Sequence, residues 1–132
     1  MKSLLACSVA ISVIFLSCSK SPLINVSKEL SGKWKYSQSF YSIGGPLTYQ
    51  PTDDLNQWII FNANGGFTSN MPQFENVIRY EIVDSVHVKF ITSVQQPGPH
   101  LYYYSIDVVE NALTLSPADI ICIEGCGSKF RR

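Results

Sequence analysis

Leu30-Ser31-Gly32-Lys33-Trp34-Lys35-Tyr36-Ser37-Gln38-Ser39-Phe40 sets large aromatics at Trp34, Tyr36 and Phe40 against Lys33, Lys35, Ser37 and Ser39. Successive side chains of a strand point to opposite faces, so this alternation predicts a strand with one apolar face and one wet face. A half-buried strand needs neighbours that cover its inner side. The rest of the chain reads as a supply of them.

Trp58-Ile59-Ile60-Phe61 is β-branched and aromatic, and Asn62-Ala63-Asn64-Gly65-Gly66 carries the residues of a tight hairpin before Phe67-Thr68-Ser69 returns. Val77 to Val83 sets Ile78, Tyr80 and Ile82 against Arg79 and Glu81, and Val86 to Thr92 sets Val88 and Phe90 against His87 and Lys89. Tyr102, Tyr104, Ile106 and Val108 share one face of a long strand, Glu110-Asn111 turns the chain, and Leu113 with Leu115 marks the next strand. Ser128 to Arg131 is the last. The breaker-rich segments Gly44 to Asn56 and Gln95 to Pro99 read as loops. About eight antiparallel strands with no helical period predict an all-β, up-and-down barrel over residues 29–132. A two-sheet sandwich uses the same alternation, but pairing of each strand with its successor favours the meander.

The chain has 132 residues and balanced charge, ten basic against ten acidic, so it offers no basic field for nucleic acid. Residues 1–17 combine Lys2 with an apolar run from Leu4 to Leu16, too short to span a bilayer comfortably, which is the pattern of an export signal. That run ends in Phe15-Leu16-Ser17-Cys18, which resembles the lipobox of bacterial lipoproteins. The resemblance implies that Cys18 is acylated and becomes the first mature residue; an ordinary signal peptide cut near Ser17 is the alternative. Each buried methylene contributes about 0.8 kcal/mol, so two or three acyl chains hold a small protein on a membrane. Ser19 after the cysteine implies, by the same resemblance, passage to the outer membrane, on its periplasmic face or surface. Residues 18–28 are then a lipidated N-terminus and a polar tether containing Pro22.

Gly32-Lys33-Trp34 looks like the G-x-W signature of lipocalins. With Trp58 to Phe67 read as W-x-x-F-N-x-N-G-x-F, with Cys122-Ile123-Glu124-Gly125-Cys126 and with Lys129-Phe130-Arg131, the chain resembles the lipocalin-like lipoproteins of Bacteroidetes. The resemblance implies a barrel whose end is closed by Trp34 under a basic residue, Arg131 or Arg132. It also implies a small apolar ligand, for which Tyr36, Phe90, Tyr102 and Tyr104 are the candidate contacts. So many aromatics on the inner face predict a packed lower barrel, with any site a shallow pocket at the mouth beside the Gly44 to Asn56 and Gln95 to His100 loops.

Cys7 leaves with the signal and Cys18 is assigned to lipid, so Cys122 and Cys126 remain; export favours a disulfide between them, worth about 2 kcal/mol at most for so small a loop. A zinc site would need further ligands and lacks C-x-x-C spacing. Asp53 and Asp54 lie in a turn-rich loop, and His87 and His100 have no nucleophile beside them. No nucleophile elbow, phosphate loop or zinc motif is present, which points to a non-enzymatic protein without metal or cofactor; a monomer is expected. A carrier of a small apolar ligand and an envelope interaction or inhibitor protein acting through its loops both fit. The lipobox reading predicts that Cys18→Ser abolishes incorporation of a tagged fatty acid and releases the protein from membranes; equal labelling of variant and parent would refute it.

Overall fold

The structure, a computed structural model, describes residues 22–94, 102–119 and 125–132. Among the described residues a helix α1, Pro22–Leu30, precedes nine strands: β1 Gly32–Tyr41, β2 Thr48–Pro51, β3 Trp58–Phe61, β4 Phe67–Ser69, β5 Val77–Ile82, β6 His87–Thr92, β7 Tyr103–Val109, β8 Ala112–Pro117 and β9 Cys126–Arg131. All pair antiparallel in one sheet of order β4-β3-β1-β9-β8-β7-β6-β5, with β2 beside β1. The two ends of that order meet where Gly66 bridges Arg79 and the Tyr80 amide donates to the Gly65 carbonyl at 2.9 Å. The sheet thus nearly closes on itself, and the barrel expected from the alternation is the fold observed.

The interior is an aromatic stack. Phe61 lies 5.1 Å from Phe67 and 4.9 Å from Tyr80, ring centre to ring centre, and Phe67 lies 4.8 Å from Phe90. Leu113, Leu115, Ile59, Val88 and Phe130 fill the remaining space and are buried. Edge-to-face and tilted ring pairs are each worth about 0.5–1.5 kcal/mol beyond their area, so this stack both fills and stabilises the lower barrel.

One end is closed by α1. Leu30 is buried beneath the barrel and Val26 packs on the core, while the Trp34 indole N–H donates to the Leu30 carbonyl at 2.7 Å. Gly32 takes φ +123°, a conformation that other residues rarely adopt, where the chain leaves the helix for β1. The Arg132 guanidinium lies 4.4 Å from the centre of the Trp34 ring and donates to the carbonyls of Glu29 at 3.1 Å and Ser31 at 3.4 Å. Of the two arginines expected at this place, Arg132 occupies it. Arg131 follows inward-facing Phe130 by one residue and therefore points out, where it is exposed.

Four expectations are corrected. Residues 22–28 are helical rather than tether: Pro22 stands at the first helical position, where a missing N–H costs nothing, and Leu23, Val26 and Leu30 share a helical spacing. The Gly44 to Asn56 loop contains β2, whose residues are all exposed and so leave no alternation to read. Phe40 is not on the inner face. The pairing of β1 with β9 shifts between Tyr36 and Gln38, so Ser37 is an extra residue and the faces exchange: Ser39 now pairs with inward Ser128, and Phe40 with outward Gly127. A similar shift between Val77 and Arg79 turns Ile78 out to 47 % exposure, while Val77 packs on the core.

Truncating buried Trp34 to alanine is expected to cost about 3–5 kcal/mol in urea unfolding, and Arg132→Ala to destabilise clearly because it strips the carbonyls of Glu29 and Ser31 of a donor. Arg131→Ala should stay within about 0.5 kcal/mol, as surface changes usually do. Equal effects of the two arginine variants would contradict this division of roles.

Candidate functional site

Opposite α1 lies the other end of the barrel, the mouth, where the strand ends of one wall are described. There β1 ends at Tyr41, β9 begins at Cys126, β8 ends at Pro117 and β7 begins at Tyr103. The other side of this mouth is roofed by a single 3-10 turn, Pro72–Phe74, that follows β4. Pro72 starts the turn, and Met71 and Phe74 on either side of it are buried, so the segment drops into the barrel like a plug. The Phe74 ring reaches Phe67, Phe90 and Tyr104 at 5.6, 5.5 and 6.0 Å.

Between this plug and the β1, β9, β8 and β7 wall remains a pocket of about 290 Å³. Its floor is Leu115 and Tyr104, its walls include Phe74 and Pro117, and Ser39, Ser128 and Gln73 add polar groups. The bulge at Ser37 makes this space. It puts the small Ser39 on the inner face opposite Ser128 and moves Phe40 to the other face at the rim, where it stays buried and edges the pocket, its ring 6.0 Å from Tyr49 and across Gly127. A Cβ at Gly127 would lie 2.5 Å from the Phe40 ring and 2.6 Å from the Leu115 carbonyl oxygen, so glycine is what lets Phe40 lie there.

None of the lining residues is an acid, a lysine, an arginine or a histidine. Among the described residues no three His, Cys, Asp or Glu side chains gather as metal ligands, and no polar or charged residue is buried. Tyr104 is the one candidate contact in the pocket. Its hydroxyl makes no hydrogen bond to another described residue and is not sealed from solvent. Burial disfavours its phenolate and raises its pKa above the ordinary tyrosine value of 10.0.

The other three candidates lie elsewhere. Tyr36 is lower in the barrel, its ring 5.5 Å from that of Phe130. Phe90 is buried in the stack, and together with Tyr102 it borders a separate open hollow of about 570 Å³ along the upper part of β6, with Lys89, Ile91 and Thr92. The Tyr102 hydroxyl receives a hydrogen bond from Thr92 at 3.3 Å. Cys126 borders the mouth pocket, whereas Cys122, the Gln95 to His100 loop and Cys18 lie outside the described residues. Asp53 and Asp54 stand in the exposed turn between β2 and β3, where Thr52 and Asp54 cap their own backbone. His87 pairs with Asp84 at 2.8 Å in the β5–β6 turn, an exposed carboxyl held below its ordinary pKa by the Val86 N–H and by His87.

Phe74, Gln73, Ser39 and Ser128 were not among the sequence candidates. Met71-Pro72-Gln73-Phe74 carries a signal for the first two, since proline favours the first position of a helical turn. No signal announces Ser39, because its place depends on the bulge.

No family model, no curated protein and no solved structure matches this chain.

The raised pKa has a definite sign. The preference for neutral Tyr104 is fully present below the unfolded tyrosine value and is lost as pH rises through the higher folded value. In an alkaline absorbance titration a late-ionising tyrosine should therefore vanish in Tyr104→Phe. A variant whose titration curve loses only an early component would place Tyr104 in water, outside any pocket.

Proposed function

We propose that this is a lipid-anchored protein of the bacterial cell envelope whose small barrel binds a small, uncharged, largely apolar ligand at its mouth, without catalysis, metal or cofactor. The observation that carries the reading is the mouth pocket, apolar in most of its lining, with Tyr104, Ser39, Ser128 and Gln73 as the few polar groups. Binding sites of small molecules have this make-up, and the lack of ionisable acids and bases in the lining disfavours a charged ligand, which would lose its hydration without a partner. The volume, about 290 Å³, lies at the low end for such sites and suits a fragment-sized molecule. The packed stack below supports a cup rather than a channel. Anchoring rests on the lipobox-like Phe15-Leu16-Ser17-Cys18.

A second reading has its own support. Ile43 and Leu55, on the segments that flank β2, are 89 % and 77 % exposed, as residues of a protein-binding loop would be. In that case the protein acts on an envelope partner through its loops.

The two separate by experiment. N-phenyl-1-naphthylamine, a small uncharged fluorescent probe, should bind the parent, and Gln73→Trp, an exposed position on the rim, should weaken binding at least tenfold by covering the mouth. Ile43→Ser should leave it unchanged. Native mass spectrometry of the gently purified protein should show a co-purifying small molecule in the parent and less in Gln73→Trp. Probe binding that ignores Gln73→Trp would reject the pocket as the site.

A further inference from the structure

The closed end of the barrel carries apolar side chains that the core does not use. Leu23 and Ile24 on α1 are 41 % and 63 % exposed, and with Ala63 of the β3–β4 turn they border an open groove of about 470 Å³. Ser27, Ser31 and Lys28 complete its edge. The other turns at this end add Val83 and Val86, between β5 and β6, and Val109, before the β7–β8 turn, at 47, 50 and 59 % exposure. Topology puts these together: β1 starts here, β9 ends here, and Arg132 ties the β7–β8 turn to the end of α1 through the carbonyls of Glu110 and Glu29.

We propose that this closed end is the face that rests on the bilayer, with α1 lying in the headgroup region of an anionic membrane and the mouth opening away from it. The proposal rests on the anchoring reading in one respect, the position of Cys18. Three residues lie between Cys18 and Pro22, four chain steps in all, so extended chain carries α1 no farther than about 14 Å from an acylated cysteine. Apolar side chains held that close to a bilayer enter its interface, and the charges beside them decide which lipids they meet.

Charge separates this end from the other exposed apolar region. The segment 36–78, which holds Ile43, Leu47 and Leu55, contains Asp53, Asp54 and Glu75 and no lysine or arginine of its own; Lys129 of β9 lies over the Tyr49 ring of β2 at 4.8 Å, which leaves this side acidic by a smaller margin. At the closed end Lys28 borders the groove, Arg131 is exposed, and the Arg79 side chain reaches Gly65 of the β3–β4 turn. Arg132 is there as well, against Glu29, Asp84 and Glu110, so the described charges at this end nearly balance, with a slight basic excess. An anionic surface therefore favours the closed end over the β2 side. A ligand then enters the mouth pocket from the aqueous compartment, not from the membrane.

The test is a photo-crosslinking amino acid placed singly at Ile24, Val109, Ile43 or Leu55 in the full, exported protein. The acylated products are reconstituted in vesicles of phosphatidylcholine with phosphatidylglycerol. Lipid adducts are expected from positions 24 and 109 and not from 43 and 55, and Lys28→Glu with Arg131→Glu should lower the yield at 24 several-fold. Adducts from 43 or 55 equal to those from 24, or adducts from none of the four, would overturn the proposal. Fatty-acid labelling of the same proteins is scored separately. If Cys18 carries no lipid, the anchoring reading fails, and the same chains added to vesicles still report which face meets lipid.

Discussion

Everything at the closed end hangs on one guanidinium. Arg132 lies over the Trp34 ring and donates to carbonyls from the helix end, from the residue after it and from the β7–β8 turn. A helix C-terminus leaves carbonyls without intrahelical donors, and a positive charge there also meets the negative end of the helix dipole. The indole below is held in turn by its own N–H on the Leu30 carbonyl. The helix before β1 and the residue after β9, about a hundred residues apart in sequence, are thus locked into one unit. A short helix of nine residues would be marginal alone, and this clamp with the burial of Leu30 is what makes it a lid.

The other end is governed by a defect. An unbroken β1 would carry the inward phase of Trp34 and Tyr36 on to Phe40, and the mouth would be filled by another ring. The extra residue at Ser37 reverses the phase in midstrand. Phe40 goes to the outer face, where β2 and Gly127 receive it, and a serine pair takes its place inside. Bulges bend and twist a strand locally, which also explains why β1 can pair with β3 along its first half and with β2 along its second. One inserted residue therefore creates both the hollow and the side strand.

Much of the barrel was legible because period-two alternation survives wherever a strand keeps one face in the core. Tyr80, Phe90, Ile106, Leu113, Leu115 and Phe130 are all buried as the pattern requires. What was not legible is what breaks the period. The two register shifts reversed Phe40 and Ile78, β2 had no buried face to signal it, and Pro22 was read as a breaker where it begins a helix. The site followed the same division. Tyr104 was found because it sits on a regular strand, whereas Phe74 lies in a short turn whose burial depends on the strands around it.

The aromatic stack finally limits what the pocket can be. Phe74 is at once the roof of the mouth and the top of the stack, in ring contact with Phe67, Phe90 and Tyr104. A ligand that needed a deeper site would have to displace it, and that would expose a buried ring and break three ring contacts, each worth about 0.5–1.5 kcal/mol. Interiors packed to crystal-like density do not yield by small adjustments. Under the proposed binding function the pocket would accept what fits between Tyr104, Leu115 and the serine pair, and would select against anything longer by the cost of moving Phe74. The depth of the hollow is set by the core that stabilises the barrel, so in the proposed role selectivity and stability would rest on the same rings.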